Sequence, residues 1–291
     1  MNYLIKKTDL YNDVLNEDYI SYHSHFNLEK SNMLRDLNQE DLSIFGEDSP
    51  LLSAAISGDI QKILKFTKNK NRINLTNNKG FTALHWACVG RKLPIIEYLL
   101  SIGADVNAIT ERGETTLHWS VRSNNIKCTL AILNKINKNL IGYKNYQGFT
   151  ALHFSASKGN YAIFIELLKQ GADIYSTNRF NATVLHWATC CEGSETNSEK
   201  YIGKLKIAEE IISRLIGLPD SLKYFNRLNK IGKTALHRAS LSGYSSVVEK
   251  LFEATCDPRL FLPPFPSAYE DFLNNKFNKK INQIYHERGI I

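Results

Sequence analysis

The stretch FTALHWA, residues 81–87, decides how the rest of this chain is read. A threonine, a histidine and a tryptophan so close together suit a catalytic fragment, half of a metal site or a piece of scaffold. Recurrence separates the three. TALH stands at 82–85, TTLH at 115–118, TALH at 150–153, TVLH at 183–186 and TALH at 234–237, with a degenerate copy, Ser49-Pro50-Leu51-Leu52, ahead of them. The starting positions step by 33, 33, 35, 33 and 51 residues. A glycine lies two residues before the threonine in four copies, at Gly80, Gly113, Gly148 and Gly232, and Asn181 takes that place in the fifth. GAD at 103–105 and 171–173 and the pairs Ile95-Ile96 and Val247-Val248 return in the same phase. A catalytic histidine belongs to one constellation with a nucleophile or carboxylate, whereas five equivalent histidines describe a lattice.

This pattern resembles the ankyrin repeat, in which G-x-TPLH opens a helix and GADVN follows a second one. The resemblance covers residues 49–257, with repeats starting near 49, 80, 113, 148, 181 and 232. It implies an all-α solenoid of stacked helix-turn-helix units with β-turn fingers. The family's proline survives only as Pro50; Ala83, Thr116, Ala151, Val184 and Ala235 stand in its place elsewhere. Alanine is a good helix former, so the helix reading is unaffected. Threonine supplies a side-chain oxygen for the free N–H groups of the first turn. Histidine, with two ring nitrogens, is expected to bond the threonine hydroxyl and a backbone group of a neighbouring repeat. Leu52 replaces it in the first copy, which has no preceding repeat to bond.

The 51-residue step holds an 18-residue excess in the fifth unit. Aligning Ile207 with Ile95 puts 11 of these residues between its two helices, within a polar, loop-like stretch at 192–204, and 7 near LIGLPDSLKYFNR, 215–227. Insertions in repeat proteins project from one face and carry specificity in some, while drift in a tolerant turn is the competing reading. Residues 1–48 show no repeat, only a loose apolar periodicity over 28–44, and form an acidic N-terminal extension. Residues 258–291 read as a linker, FLPPFP at 261–266, and an amphipathic capping helix over 267–287.

The net charge of +7 is unevenly spread. Residues 1–48 hold 4 basic and 10 acidic side chains, and residues 49–256 hold 27 and 15. The basic middle suits an acidic partner, or the acidic arm lying against it. The start MNYLIKKTDLYND has no apolar h-region and no run of 18 apolar residues occurs, so neither a secretory signal nor a membrane span is expected. The five cysteines, Cys88, Cys128, Cys190, Cys191 and Cys256, lack CxxC spacing. They read as reduced thiols of a cytoplasmic protein, a nuclear location remaining open. His85 with Cys88 is one ligand pair where zinc needs two, so neither metal nor cofactor is expected.

All three tryptophans directly follow the histidine, at Trp86, Trp119 and Trp187; Phe154 and Arg238 fill that position in the other two copies. Positions three and four further on share their face, Arg122 among them. In proteins that resemble this one, that face borders the concave groove beside the fingers. The partner-binding candidates are therefore Trp86, Trp119, Phe154, Trp187, Arg112, Arg122, Tyr146, Arg179 and Phe180. The competing reading packs the aromatic ladder between repeats. A similar LHWA segment occurs in ankyrin-repeat palmitoyltransferases, but no membrane span or cysteine-rich catalytic domain is found here, so their enzymatic part is not expected to carry over. The sequence thus points to a non-catalytic, monomeric scaffold that binds a protein or acidic peptide, as adaptor, inhibitor or assembly factor. An alternative is a microbial effector that binds host proteins in the same way. Nucleic-acid binding by the basic middle is the weaker reading, since no RGG run or reading motif is present.

Overall fold

A computed structural model describes residues 49–69, 72–190 and 198–254, with 283, 284, 286 and 287. The chain divides into two units, Met1–Pro50 and Leu51–Ile291. Apart from Ser49 and Pro50, the described residues belong to the second unit. The expected helix at 28–44, the FLPPFP linker, Cys191 and Cys256 lie outside them. Of the expected capping helix over 267–287, only Gln283, Ile284, His286 and Glu287 are described; they are helical, with Gln283 Nε2 donating to Glu287 at 2.8 Å.

Helices come in antiparallel pairs at the expected period. They are α1 (Ser49–Ser57) with α2 (Ile60–Phe66), α3 (Ala83–Val89) with α4 (Leu93–Ser101), and α5 (Thr116–Arg122) with α6 (Ile126–Leu133). Next are α7 (Ala151–Lys158) with α8 (Tyr161–Lys169) and α9 (Val184–Ala188) with α10 (Glu199–Leu215). A short α11 (Ser221–Phe225) precedes the last pair, α12 (Ala235–Leu241) with α13 (Ser245–Glu253). No helix among the described residues is long and apolar enough to cross a membrane.

Each complete TxLH copy starts its helix by one device. Thr82, Thr115, Thr150, Thr183 and Thr234 are N-caps, and the histidine three residues on closes a reciprocal capping box. The threonine N–H donates to histidine Nδ1 at 3.1–3.3 Å, and the hydroxyl lies 2.8–3.0 Å from the same nitrogen. A ring whose Nδ1 accepts must carry its proton on Nε2. That N–H points at the carbonyl preceding the next threonine: His118 Nε2 meets Phe149 O at 3.1 Å and His186 Nε2 meets Lys233 O at 3.0 Å. The matching carbonyls of Glu114 and Ala182 act on His85 and His153, although those two Nε2 atoms fall outside hydrogen-bond geometry. The lattice bond therefore runs forward. This corrects the reason given for Leu52, since the first copy does have a following repeat; nothing in the structure explains leucine there beyond its burial.

Second helices carry the apolar stripe into the stack. Ile95, Ile96 and Leu99, then Ile163, Phe164 and Leu167, then Val247, Val248 and Leu251 are buried. Between units the chain turns out into fingers. In four of them an asparagine, Asn77, Asn145, Asn178 or Asn229, accepts two backbone N–H groups with its side-chain oxygen and so shapes the turn. The residue three after each asparagine has positive φ, as at Gly148 (81°), where a Cβ would meet the Arg179 backbone N at 2.7 Å. Asn181 takes this conformation at φ 56°, consistent with the tolerance of asparagine for the left-handed region.

The fifth unit departs from the expectation of a loop at 192–204. Residues 191–197 are not described, but 199–204 are helical: Ser198 accepts from Tyr201 N–H and α10 runs for 17 residues. The extension crosses the α7–α8 turn at Gly203, whose Cβ would overlap the Gly159 carbonyl oxygen. Tyr201 packs against Tyr244 of the last unit, with ring centroids 4.5 Å apart. The insert thus clamps the units on either side. Gly203→Ala is expected to lower the thermal midpoint by about 4–10 °C, as overpacking against backbone does. Gly142→Ala, whose Cβ meets nothing within 4 Å, should change it little; equal shifts in circular-dichroism melts would argue against the clamp.

Candidate protein-interaction surface

The aromatic ladder is the first element to place. Trp86, Trp119, Phe154 and Trp187 are only 3–5% exposed. Residues from their own and adjacent repeats cover them. The Phe81 ring lies 5.4 Å from Trp86 and 4.9 Å from Trp119, and Phe149 lies 5.5 Å from Phe154 and 5.0 Å from Trp187. At the other junctions a guanidinium takes the part of the phenyl ring. Arg122 stands 4.6 Å from the Trp119 ring and 5.1 Å from Phe154, and Arg238 stands 5.8 Å from Trp187. Arg122 is buried and ion-paired with Glu114 at 2.7 Å. Glu114 occupies the position that Phe81 and Phe149 hold in their units, so the pair replaces a phenylalanine.

The strip expected to be exposed is therefore cement between repeats. This corrects the assignment of Trp86, Trp119, Phe154, Trp187 and Arg122 as contact residues. The remaining four candidates stand on the fingers. Arg112 and Arg179 are exposed, Phe180 is half-buried, and Tyr146 is 57% exposed with its ring laid across Gly113.

One backbone hydrogen bond joins each finger to the next. Glu111 N–H donates to Lys79 O at 3.0 Å, Tyr146 N–H to Arg112 O at 3.1 Å, Arg179 N–H to Gln147 O at 2.9 Å and Lys230 N–H to Phe180 O at 2.9 Å. The tips form a continuous row in which Lys79, Arg112, Arg179 and Lys230 are exposed beside a single carboxylate, Glu111. Lys144 Nζ adds a tie to Thr177 O at 2.8 Å. Such a row is rigid along its length and positive.

A cleft that the sequence reading missed adjoins the row's C-terminal end. It measures about 310 Å³ and is lined by Tyr175, Asp220, Lys223, Tyr224 and Arg227. A signal for it existed in register. Asn74 accepts from Asp105 N–H at 2.8 Å and Asn107 from Asn137 N–H at 3.0 Å, so an asparagine clasps one unit to the next at two successive junctions. Tyr175 stands at the equivalent position and instead meets Tyr224 of α11, with centroids 5.6 Å apart.

The thiols of Cys88 and Cys128 are buried, and burial pushes both pKa values up. No group of three His, Cys, Asp or Glu able to hold a metal occurs among the described residues.

A model of ankyrin repeats in three copies matches residues 26–110, 51–142 and 94–178, together more than half of the chain. The first match opens at residue 26, inside the stretch read as free of repeats. The chain is similar to palmitoyltransferase AKR1 of Saccharomyces cerevisiae, 30% identical over 189 residues, 49% of this chain and 24% of that protein. It is also similar to the B-cell lymphoma 3 protein homolog of Mus musculus, at 27% identity over 44% of this chain and 30% of the relative. The RelA-associated inhibitor of Mus musculus is 34% identical over 28% of this chain and 10% of its own length. The chain thus spans less than a third of each of these relatives.

Proposed function

The chain belongs to the ankyrin repeat family, whose repeats bind proteins, and from that premise we propose that it is a non-catalytic scaffold holding an acidic protein segment along its finger row. The observation that carries this reading is the hydrogen-bonded row of tips with Lys79, Arg112, Arg179 and Lys230 exposed on it. Tyr146 supplies the aromatic surface that recurs at binding hot spots. A partner bound there has its own surface occluded, which suits an adaptor or an inhibitor, the role stated in the name of the RelA-associated inhibitor. Like charge on the repeat surface disfavours self-association, so the scaffold acts as a monomer.

The test is a double charge reversal. Arg112→Glu with Arg179→Glu alters only exposed side chains, so the fold should survive. Affinity capture from the native extract, read by mass spectrometry, should lose its principal partner, and the wild-type complex should weaken at least 10-fold between 50 and 300 mM salt. Undiminished capture by the folded double variant would overturn the finger-row reading.

A further inference from the structure

We propose that the cleft between Tyr175 and α11 is a seat for one carboxylate of the bound segment, held by Lys223 and Arg227, and that it fixes which acidic residue lies at the C-terminal end of the finger row. This rests on the finger-row reading and adds a register that a row of similar tips does not supply. The cleft, about 310 Å³, falls at the lower end of the volumes of ligand pockets. Its lining holds two cations, Lys223 and Arg227, one acid, Asp220, and the rings of Tyr175 and Tyr224. Lys223 is exposed and makes no ion pair among the described residues. Arg227 is half-buried and donates from one guanidinium nitrogen to Asn181 Oδ1 at 2.7 Å, which leaves further N–H groups of the fork for a carboxylate. Asp220 is the N-cap of α11, but its side chain makes no cap bond and pairs with neither cation. The lining thus carries one surplus positive charge, two cations against one acid, and one carboxylate neutralises it.

The fold fixes the walls of the cleft. Tyr224 is buried and its hydroxyl accepts from Leu185 N–H at 3.3 Å, holding α11 to the first turn of α9. Asn181 Nδ2 donates to Leu228 O at 2.6 Å, so the chain after α11 is bound at both Arg227 and Leu228 to the finger tip that carries Arg179 and Phe180. Lys230 joins that tip through Phe180 O. Asp173, the other acid near Tyr224, has both carboxylate oxygens engaged, by Tyr175 N–H at 2.9 Å and by the Ser176 hydroxyl at 3.0 Å. Lys223 and Arg227, with Arg179 and Lys230 on the adjoining tip, therefore outnumber Asp173 and Asp220 and set a positive field at the cleft. That field draws in an acid of the bound segment. A second copy of the chain, basic over the same residues, is repelled by it.

Selection of a random dodecapeptide library displayed on phage against the folded wild-type chain supplies the probe, and each acid of an enriched peptide is then changed to its amide in turn. One of these changes should weaken binding to wild type about 10-fold or more. The same change should alter binding to Lys223→Gln with Arg227→Gln by less than about 2-fold, as coupled partners require. Glutamine at position 227 keeps a donor for Asn181, so this variant should fold. Lys127→Gln with Lys206→Gln, which removes exposed lysines of α6 and α10, should bind as wild type does. Phosphoserine at the sensitive position should bind no better than the acid. A gain of about 10-fold that is lost in the Lys223 and Arg227 variant would overturn the carboxylate in favour of a phosphate. Arg112→Glu with Arg179→Glu should weaken every version of the peptide. Amide changes of equal effect along the peptide, or an acid that stays sensitive in the Lys223 and Arg227 variant, overturn the seat and leave the finger row standing. Peptides indifferent to the Arg112 and Arg179 changes, or no enrichment of acidic peptides, overturn both.

Discussion

Acidification from pH 7 to pH 5 is expected to unfold the repeat array through its capping histidines. Burial holds His85, His153 and His186 neutral, with pKa values lowered to about 3, and lowers His118 as well. The geometry opposes charging too, because Nδ1 already accepts the threonine N–H and has no room for a proton. In the unfolded chain these rings titrate near the ordinary histidine value of about 6.5. Between the two values the unfolded chain binds more protons, so stability is complete above about pH 6.5 and falls as pH falls through that window. At pH 5 each of the three rings costs about 2 kcal/mol, together about 6 kcal/mol. That is comparable with the whole stability of an ordinary domain, about 5–15 kcal/mol. Emission of Trp86, Trp119 and Trp187 reports it directly, since all three lie in repeat junctions. Denaturant midpoints should drop steeply from pH 7 to 5, and His153→Gln, less stable at pH 7, should show a shallower pH dependence. Midpoints that do not move over that range would refute the account of the lattice.

Arg122→Ala is expected to cost about 3–5 kcal/mol, the usual result of removing one member of a buried ion pair. Glu114 keeps its place at the junction, with Asn145 Nδ2 at 3.3 Å, but loses the guanidinium at 2.7 Å. The same change removes the cation standing between Trp119 and Phe154. Replacing the pair with the residues of a neighbouring unit is the informative control. Glu114→Phe with Arg122→Ala imitates the Phe81 unit, where apolar Val89 stands at the position of Arg122, and should recover most of the loss. Urea denaturation of the single and double variants measures the coupling. A single variant within 1 kcal/mol of wild type would show that the pair contributes little.

The architecture was legible because the TxLH device repeats with its spacing intact, and a capping box depends only on residues three apart. What depends on stacking was less legible. The direction of the histidine bond follows from which neighbour presents a carbonyl, which spacing along one helix does not reveal. Spacing also put the tryptophans on one face without showing what covers it. The cover was in the sequence, as Phe81 and Phe149 before alternate threonines and as Glu114 matched by Arg122, but recognising it requires knowing that adjacent units touch there. The α10 extension was hidden by Gly203 within EGSETNSEKYIGK, although Ser198 followed by Glu199 is an ordinary helix start. The exposure of Arg112, Tyr146 and Arg179 was legible because a turn leaves its tip in solvent, whereas Phe180 on the same fingers is half-buried. Tyr175 and Arg227 were missed because their cleft joins segments roughly fifty residues apart.

The most direct measurement is amide hydrogen exchange of the full chain, free and bound to its captured partner. The account predicts added protection in peptides covering 79–81, 111–113, 146–148, 179–181 and 230–232, with the second helices α4, α6 and α8 unchanged. Protection confined to those second helices, with the finger peptides exchanging as in the free chain, would contradict it.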